Sequence, residues 1–175
     1  MNFKDNKTAA MIMGLMIAAA VFLGGSKAVI QKSNQVESIY VQQLQPELER
    51  QSQYAASLIV LAKNESKDKD LIDSLEADLN FFNEATSKHE KYLSFVKLQS
   101  SFDALKISMV GQMLTTENER LLNQIYQNFY SAYDLISRSK ENYNQAVKKW
   151  NEELTHFPVS FIKEFVGKGN AELFA

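Results

Sequence analysis

The chain has 175 residues, with 19 basic and 21 acidic side chains, two prolines, six glycines and no cysteine. Interleaved, nearly balanced charges exclude the basic surface that neutralises nucleic-acid phosphates, so no nucleic-acid partner is expected. The lack of cysteine excludes disulfides, thiolate metal sites and an acylated lipoprotein cysteine. Few turn residues and long tracts of helix-favouring residues predict an all-α protein.

The N-terminal region contains an uncharged apolar segment of eighteen residues, Thr8–Gly25. As a helix it would be about 27 Å long, close to the thickness of a hydrocarbon core. We therefore predict a transmembrane anchor within residues 1–26 and one folded domain over residues 27–175. A cleaved signal peptide is the alternative, although its apolar core is usually shorter. The predicted location is a membrane, with the lipid bilayer bound through the N-terminal helix.

The flanks of this segment do not set its orientation, because Lys4 and Lys7 on one side face Lys27 and Lys32 on the other. Gly14 and Ala18 form a small-xxx-small pair, which is compatible with close approach of two such helices and hence with a homo-oligomer.

The remaining sequence predicts four amphipathic helices, at roughly Ser26–Lys63, Asp68–Ala85, Ser87–Gln112 and Thr116–His156. The last carries a seam of apolar residues at alternating steps of four and three, interrupted only by Lys140: Leu122, Tyr126, Phe129, Tyr133, Ile136, Tyr143, Val147, Trp150, Leu154 and Phe157. Shorter stripes mark the second and third helices: Leu71, Leu75, Leu79 and Phe82, then Phe95, Leu98, Phe102, Leu105 and Met109. An antiparallel, up-and-down four-helix bundle would bury all four apolar stripes, and we predict this fold.

Helix boundaries are marked by capping residues and prolines. Ser87 with Glu90, and Thr116 with Glu119, form capping boxes that predict two helix starts. Pro158 predicts that the last long helix ends before it. Pro46 either kinks the first helix or begins a separate one. The polar stretch Asn64–Lys69 is predicted to be a loop.

After Pro158 the sequence predicts a short C-terminal helix with one apolar side, formed by Phe161, Ile162, Phe165 and Val166 and closed by Gly167. We expect this helix to cover an open end of the bundle. A partner-binding or membrane-touching tail is the alternative, but Lys163 and Lys168 are too few for electrostatic recognition of a lipid surface.

Two histidine patterns were considered as reactive sites. His89-Glu90 begins a zinc-protease motif, but Leu93 occupies the position of the second histidine. Glu153 and His156 have the Glu-x-x-His spacing of di-iron bundles, which need two copies. Neither pattern is complete. We therefore predict no catalytic, cofactor-binding or metal-ligating residues, no cofactor and no enzymatic activity.

The C-terminal part of the chain resembles the LemA family. Its signature, a YNxAVxxYN run followed by Phe-Pro and a short helix containing Phe and Gly, is similar to the segment Tyr143–Asn151 followed by Phe157-Pro158, Phe161-Ile162, Phe165 and Gly167. The resemblance extends weakly to the first helix through Glu47-Leu48-Glu49-Arg50 and Leu58. There Gln51 replaces a second arginine, Ala56 a proline, and Ile39-Tyr40 an Ala-Trp pair, as expected of a divergent member.

The resemblance implies an N-terminally anchored four-helix bundle in a bacterial inner or cytoplasmic membrane, without catalytic residues. Some members are associated with membrane remodelling or organelle biogenesis. We therefore expect a scaffold that binds a protein partner, in membrane or envelope organisation. The alternative is a sensor whose bundle opens a ligand or peptide groove near Tyr126 and Tyr133. An enzyme would need a reactive polar group inside the bundle, and Lys140 is the candidate on the seam.

Overall fold

The computed structural model describes residues 3–65, 68–110 and 113–175, and every regular element in these ranges is a helix, as predicted. In chain order these are α1 (Phe3–Ile39), a π-helical turn (Tyr40–Leu44), α2 (Gln45–Glu65), α3 (Lys69–Glu84), α4 (Lys88–Val110), α5 (Thr116–Glu153) and α6 (Val159–Val166). Ser66 and Lys67 of the predicted loop and the predicted helix end at Gln112 lie outside the described residues.

The chain divides into two compact units. The first unit comprises residues 1–37 and 146–171, and the second comprises residues 38–145 and 172–175. Each unit has its own buried apolar residues, and the two are described separately.

The second unit is built on α2, α3 and α4, which all contact one another. All five apolar residues predicted for the stripe of α4 are buried: Phe95, Leu98, Phe102, Leu105 and Met109. Two of them stack on rings of α5, with centroid distances of 3.6 Å between Phe102 and Phe129 and 5.5 Å between Phe95 and Tyr133. Aromatic stacking therefore joins α4 to α5 in this unit.

The predicted seam of α5 is confirmed over most of its length. Its fully covered members are Leu122, Phe129, Ile136, Tyr143, Val147, Trp150 and Leu154. The prediction is wrong at Phe157, whose side chain is 84% exposed. The reason is that α5 ends at Glu153, so Phe157 lies in the following turn, beyond the helical repeat. Lys140 places its ammonium 3.8 Å from the ring centroid of Tyr92, a cation–π contact.

The two predicted capping boxes have different outcomes. At the start of α4, the Ser87 hydroxyl accepts a bond from the Glu90 N–H (3.1 Å) and the Glu90 carboxylate accepts one from the Ser87 N–H (3.2 Å), as predicted. The N–H groups of Ser87 and Thr86 lower the pKa of Glu90. The box at Thr116 is wrong: the capping hydroxyl belongs to Thr115, which accepts from the Asn118 N–H at 3.2 Å.

Pro46 does not begin a separate helix, because the chain stays helical from Lys7 to Glu65. Just before it lies the π-helical turn, in which the Gln45 N–H bonds the Tyr40 carbonyl, five residues earlier. The interruption of the helix is therefore a local change of hydrogen-bond pattern next to the proline.

The first unit contains most of α1, the end of α5, and α6. Its buried apolar residues include Val29, Val147, Trp150, Leu154 and Ile162. Lys32 of α1 pairs with Glu153 of α5 at 2.5 Å. The short helix is present as predicted, and Gly167 ends it in the left-handed conformation (φ 63°).

Candidate functional site

The apolar segment Thr8–Gly25 forms part of α1 and is exposed along its length. Its large exposed side chains include Met11, Ile12, Met13, Leu15, Met16, Ile17, Val21 and Leu23. Consecutive positions in this group point in successive directions around a helix, so the apolar surface is not a single stripe. α1 is therefore long and apolar enough to cross a membrane, a property that signal sequences near an N-terminus share.

α6 packs against the C-terminal end of this segment, within the first unit. The rings of Phe165 and Phe22 meet edge to face, with centroids 5.3 Å apart. Ile162 approaches Gly25 so closely that a Cβ added at Gly25 would overlap the Ile162 Cδ1 atom. A larger residue at Gly25 would therefore displace the end of the Ile162 side chain. The predicted position of α6, over an end of the bundle, stays a prediction.

In the second unit, an aromatic–asparagine pair of α5 holds the end of the chain. The side-chain amide of Asn144 donates to the Phe174 carbonyl (3.0 Å) and accepts from the Phe174 N–H (2.9 Å). The Tyr143 hydroxyl donates to the Glu172 carbonyl at 2.7 Å. One helical asparagine therefore satisfies both backbone groups of a residue that lies outside regular secondary structure.

The segment held in this way inserts a ring into the second unit. Phe174 is fully buried, with ring centroids of Tyr92, Phe95 and Tyr40 at 5.3, 6.1 and 6.2 Å. These distances are typical of favourable aromatic pairs. Phe174 thus belongs to the core of this unit, whereas Glu172 and Ala175 remain exposed.

The first unit contains the same arrangement, seven residues further along α5. The Asn151 amide donates to the Ala171 carbonyl (2.9 Å) and accepts from the Ala171 N–H (2.8 Å). The indole N–H of Trp150 donates to the Gly169 carbonyl at 3.2 Å. The two aromatic–asparagine dipeptides of the segment Tyr143–Asn151 therefore have the same structural role.

Glu172 adds a charged contact at the N-terminus of α4. Its two carboxylate oxygens accept from the backbone N–H groups of Lys88 (3.0 Å) and His89 (3.1 Å), groups that an α-helix leaves unpaired at its start. Burial by itself would raise the pKa of Glu172, but these two N–H groups, with Ser87 and the charge of Lys88, lower it. The ring Nδ1 of His89 contacts the main-chain oxygen of Ala175.

The residues of the two incomplete histidine patterns belong to different units. Glu153 is paired with Lys32, and His156 is exposed in the turn after α5. His89 lies at the start of α4, against Ala175. Within residues 3–65, 68–110 and 113–175, no three His, Asp or Glu side chains are grouped as a metal site would require.

Two perturbed side chains have evident structural partners. Burial, followed by the hydrogen bond to Asp103, raises the pKa of Tyr130, whose hydroxyl lies 2.6 Å from the carboxylate. Burial lowers the pKa of Lys91, which donates to the Phe82 carbonyl near the end of α3. Both groups join neighbouring helices, and Lys91 also lines an open groove of about 390 Å³ together with Glu49.

The second unit also carries an open groove of about 520 Å³ between α2 and α5. Its lining includes Val60, Leu61, Leu121 and Ile125. The tyrosines predicted to mark a ligand site do not line it. Tyr133 stacks on Phe95, and the Lys106 ammonium lies 4.1 Å from the Tyr126 ring centroid.

One buried polar side chain of α2 lacks partners. Gln51 is fully buried, and neither its amide nitrogen nor its amide oxygen makes a hydrogen bond. An amide buried in this way costs free energy. It occupies the position at which the LemA pattern has a second arginine.

The residues that hold the C-terminal segment are not among those predicted to pack in the bundle. Asn144 and Asn151 belong to the segment that resembles the LemA signature, and Phe174 lies outside every predicted apolar stripe. The available signal was the repetition of an aromatic–asparagine dipeptide at a spacing of seven, which places two amides beside a buried seam. No family model matches the chain, and no curated protein matches it either.

Proposed function

We propose that this protein is a non-enzymatic, single-pass scaffold of a bacterial inner or cytoplasmic membrane, which binds another protein through its helical domain. The observation that carries the proposal is the apolar surface of the segment Thr8–Gly25, exposed in all directions around α1. A lipid bilayer is the solvent that suits such a helix. Residues 1–26 are the anchor in this proposal, and residues 27–175 form the domain.

The proposed domain is an antiparallel, up-and-down four-helix bundle with a short C-terminal helix. The mutual contacts of α2, α3 and α4 and the ring stacks from α4 to α5 support it. The short connection between α3 and α4, residues 85–87, also favours antiparallel neighbours. Such a bundle would act by position, presenting an exposed helix surface to a partner protein at the membrane.

We also propose membership of the LemA family, as a divergent member. The support lies in the segment Tyr143–Asn151, where both aromatic–asparagine dipeptides hold backbone of the C-terminal segment. A signature with a structural role of this kind fits a family without transferable catalytic residues. The unpartnered Gln51 lies where the resemblance is weakest.

The test is photocrosslinking in intact bacterial cells followed by membrane fractionation. Photoreactive residues at Gln127, Ser131 and Arg138, all exposed on α5, should yield discrete crosslinked proteins in the inner-membrane fraction. The buried Phe129 provides a matched position that should yield none. Recovery of the chain in the soluble fraction, or crosslinks at no exposed position, would contradict the scaffold.

The groove between α2 and α5 favours one alternative, a bundle that senses a ligand or peptide. Its volume of about 520 Å³ lies within the range of small-ligand sites. A Leu121→Trp variant would fill the groove. Amphipathic peptides that raise the melting temperature of the wild-type chain but not of this variant would support sensing over scaffolding.

A further inference from the structure

The first unit exposes a second apolar surface besides the apolar segment, formed by two phenylalanines of α6. Phe161 is 54% exposed and Phe165 64%. Phe161 and Phe165 lie one helical turn apart, and their rings contact each other with centroids 4.8 Å apart. Large aromatic side chains exposed in a group mark interaction surfaces more often than isolated ones do.

The contacts of α6 fix the level of this surface along α1. Phe165 touches Phe22 and Ile162 touches Gly25, so α6 lies beside the last turn of the apolar segment. The next residues of α1, Ser26 and Lys27, are polar. In a helix that spans a bilayer, such a transition from apolar to polar residues lies at the boundary between acyl chains and headgroups.

We infer that α6 is an interfacial helix whose exposed phenylalanines insert into the bilayer that holds α1. This inference rests on the proposed function, because it requires α1 to span the membrane. The occupant of the surface is lipid, at the boundary between acyl chains and headgroups. An amphipathic helix with phenylalanine on its apolar side is suited to that depth.

The small number of basic residues does not oppose this placement. Lys163 and Lys168 could not recruit a free protein to an anionic surface, which takes a cluster of charges. α6, however, is already attached to a helix that crosses the same membrane. Insertion is then an intramolecular step at high effective concentration, and the apolar contact needs no electrostatic recruitment.

The experiment measures the depth of spin labels on the full-length chain reconstituted in phosphatidylcholine–phosphatidylglycerol vesicles. Because the sequence has no cysteine, single variants Phe161→Cys, Phe165→Cys, Glu164→Cys and Val21→Cys each carry one nitroxide. We expect labels at 161 and 165 to collide readily with oxygen and several-fold less with a water-soluble nickel chelate than the label at the exposed Glu164 does. Their depth should be about 5–10 Å below the headgroups.

The label at position 21 separates failure of the inference from failure of the anchor. If it lies in hydrocarbon while labels at 161 and 165 are as accessible to nickel as the label at 164, α6 is not interfacial and the anchor stands. If it is accessible to nickel, both the anchor and the inference fail.

Protein contacts give a third result. Labels at 161 and 165 that are immobile and reached by neither reagent would place a protein or a second copy on the surface, and would overturn the inference. Dipolar broadening that disappears on dilution with unlabelled chain would identify the second copy. Should the variant at 161 or the one at 165 lose helicity, the label at the other position decides the result, with the same expectation.

Discussion

Two apolar helical stretches of this chain have opposite surroundings. In α4, the large apolar residues Phe95, Phe102 and Met109 recur on one stripe and are buried. In the apolar segment of α1, residues such as Met13 and Ile17 occur in all directions and are exposed. α4 also exposes apolar residues such as Ile107, so the two stretches differ in whether protein covers one side of the helix. Over residues 8–21 of the apolar segment, every residue is exposed.

We expect the largest loss of stability from truncating a side chain in the buried stripe of α4. Phe102→Ala removes a ring stacked on Phe129 and should lower the free energy of unfolding by about 3–5 kcal/mol. Chemical denaturation in detergent solution, followed by circular dichroism, measures it. Val96→Ala on the exposed side of α4 is the control, with a change within about 0.5 kcal/mol. Equal losses in both variants would show that the stripe is not the core.

A charge in the apolar segment should have the converse effect, on membrane insertion and not on unfolding. Ile17→Arg places a cation near the middle of the segment and should disfavour insertion by about 3 kcal/mol. Carbonate extraction of membranes should then release a larger fraction of the chain, while Ile17→Leu behaves as the wild type. A lower melting temperature in detergent with unchanged membrane association would mean instead that protein covers Ile17.

Removal of a polar contact inside the core should have the next largest effect, because a buried backbone group without a partner costs free energy. Asn144→Ala leaves the N–H and carbonyl of the buried Phe174 without partners and should destabilise by about 2 kcal/mol. Asn151→Ala removes the same two bonds from the half-buried Ala171 and should cost less. Thermal unfolding of both variants gives the ranking. The reverse order would contradict the assignment of Phe174 to the core.

A substitution at Gln51 should stabilise the protein, unlike the substitutions above. Gln51→Leu removes two buried groups without partners and should raise the free energy of unfolding by about 1 kcal/mol. The exposed Gln53→Leu is the matched control and should change it little. Loss of stability in Gln51→Leu would indicate that the amide has a partner in the folded protein.

The features that could be predicted from the sequence are those set by residues close together in the chain. The stripe of α4 and the Ser87 capping box follow from the spacing of a few neighbouring residues, and both are confirmed. The cap at Thr115 was missed because two adjacent threonines fit the same rule and only the backbone distinguishes them. Phe157 was misassigned because its seam spacing continues beyond Glu153, where the helix ends.

The contacts of the C-terminal segment could not be predicted from local patterns. Asn144 bonds a residue 30 positions away, and the segment after α6 that contains Phe174 has no repeat that reveals its buried side. The contact of Ile162 with Gly25 is more distant still in sequence. Such contacts depend on how elements meet in space, which a single sequence with no periodic signal does not specify.

The smallest effect is expected at the edge of the core, where Glu172 binds the N-terminus of α4. Its pKa is lowered below the ordinary 4.5, so the folded state favours the charged carboxylate. The stabilisation is therefore full at neutral pH, declines as the pH falls below 4.5, and is lost below the lowered folded-state pKa.

Glu172→Gln should be less stable than the wild type at pH 7, and the difference should shrink as the pH falls through this range. Melting temperatures of both proteins between neutral and acidic pH measure it. A difference that persists below the folded-state pKa would assign the loss to packing instead of to the charge, because protonation leaves the wild-type side chain as neutral as glutamine.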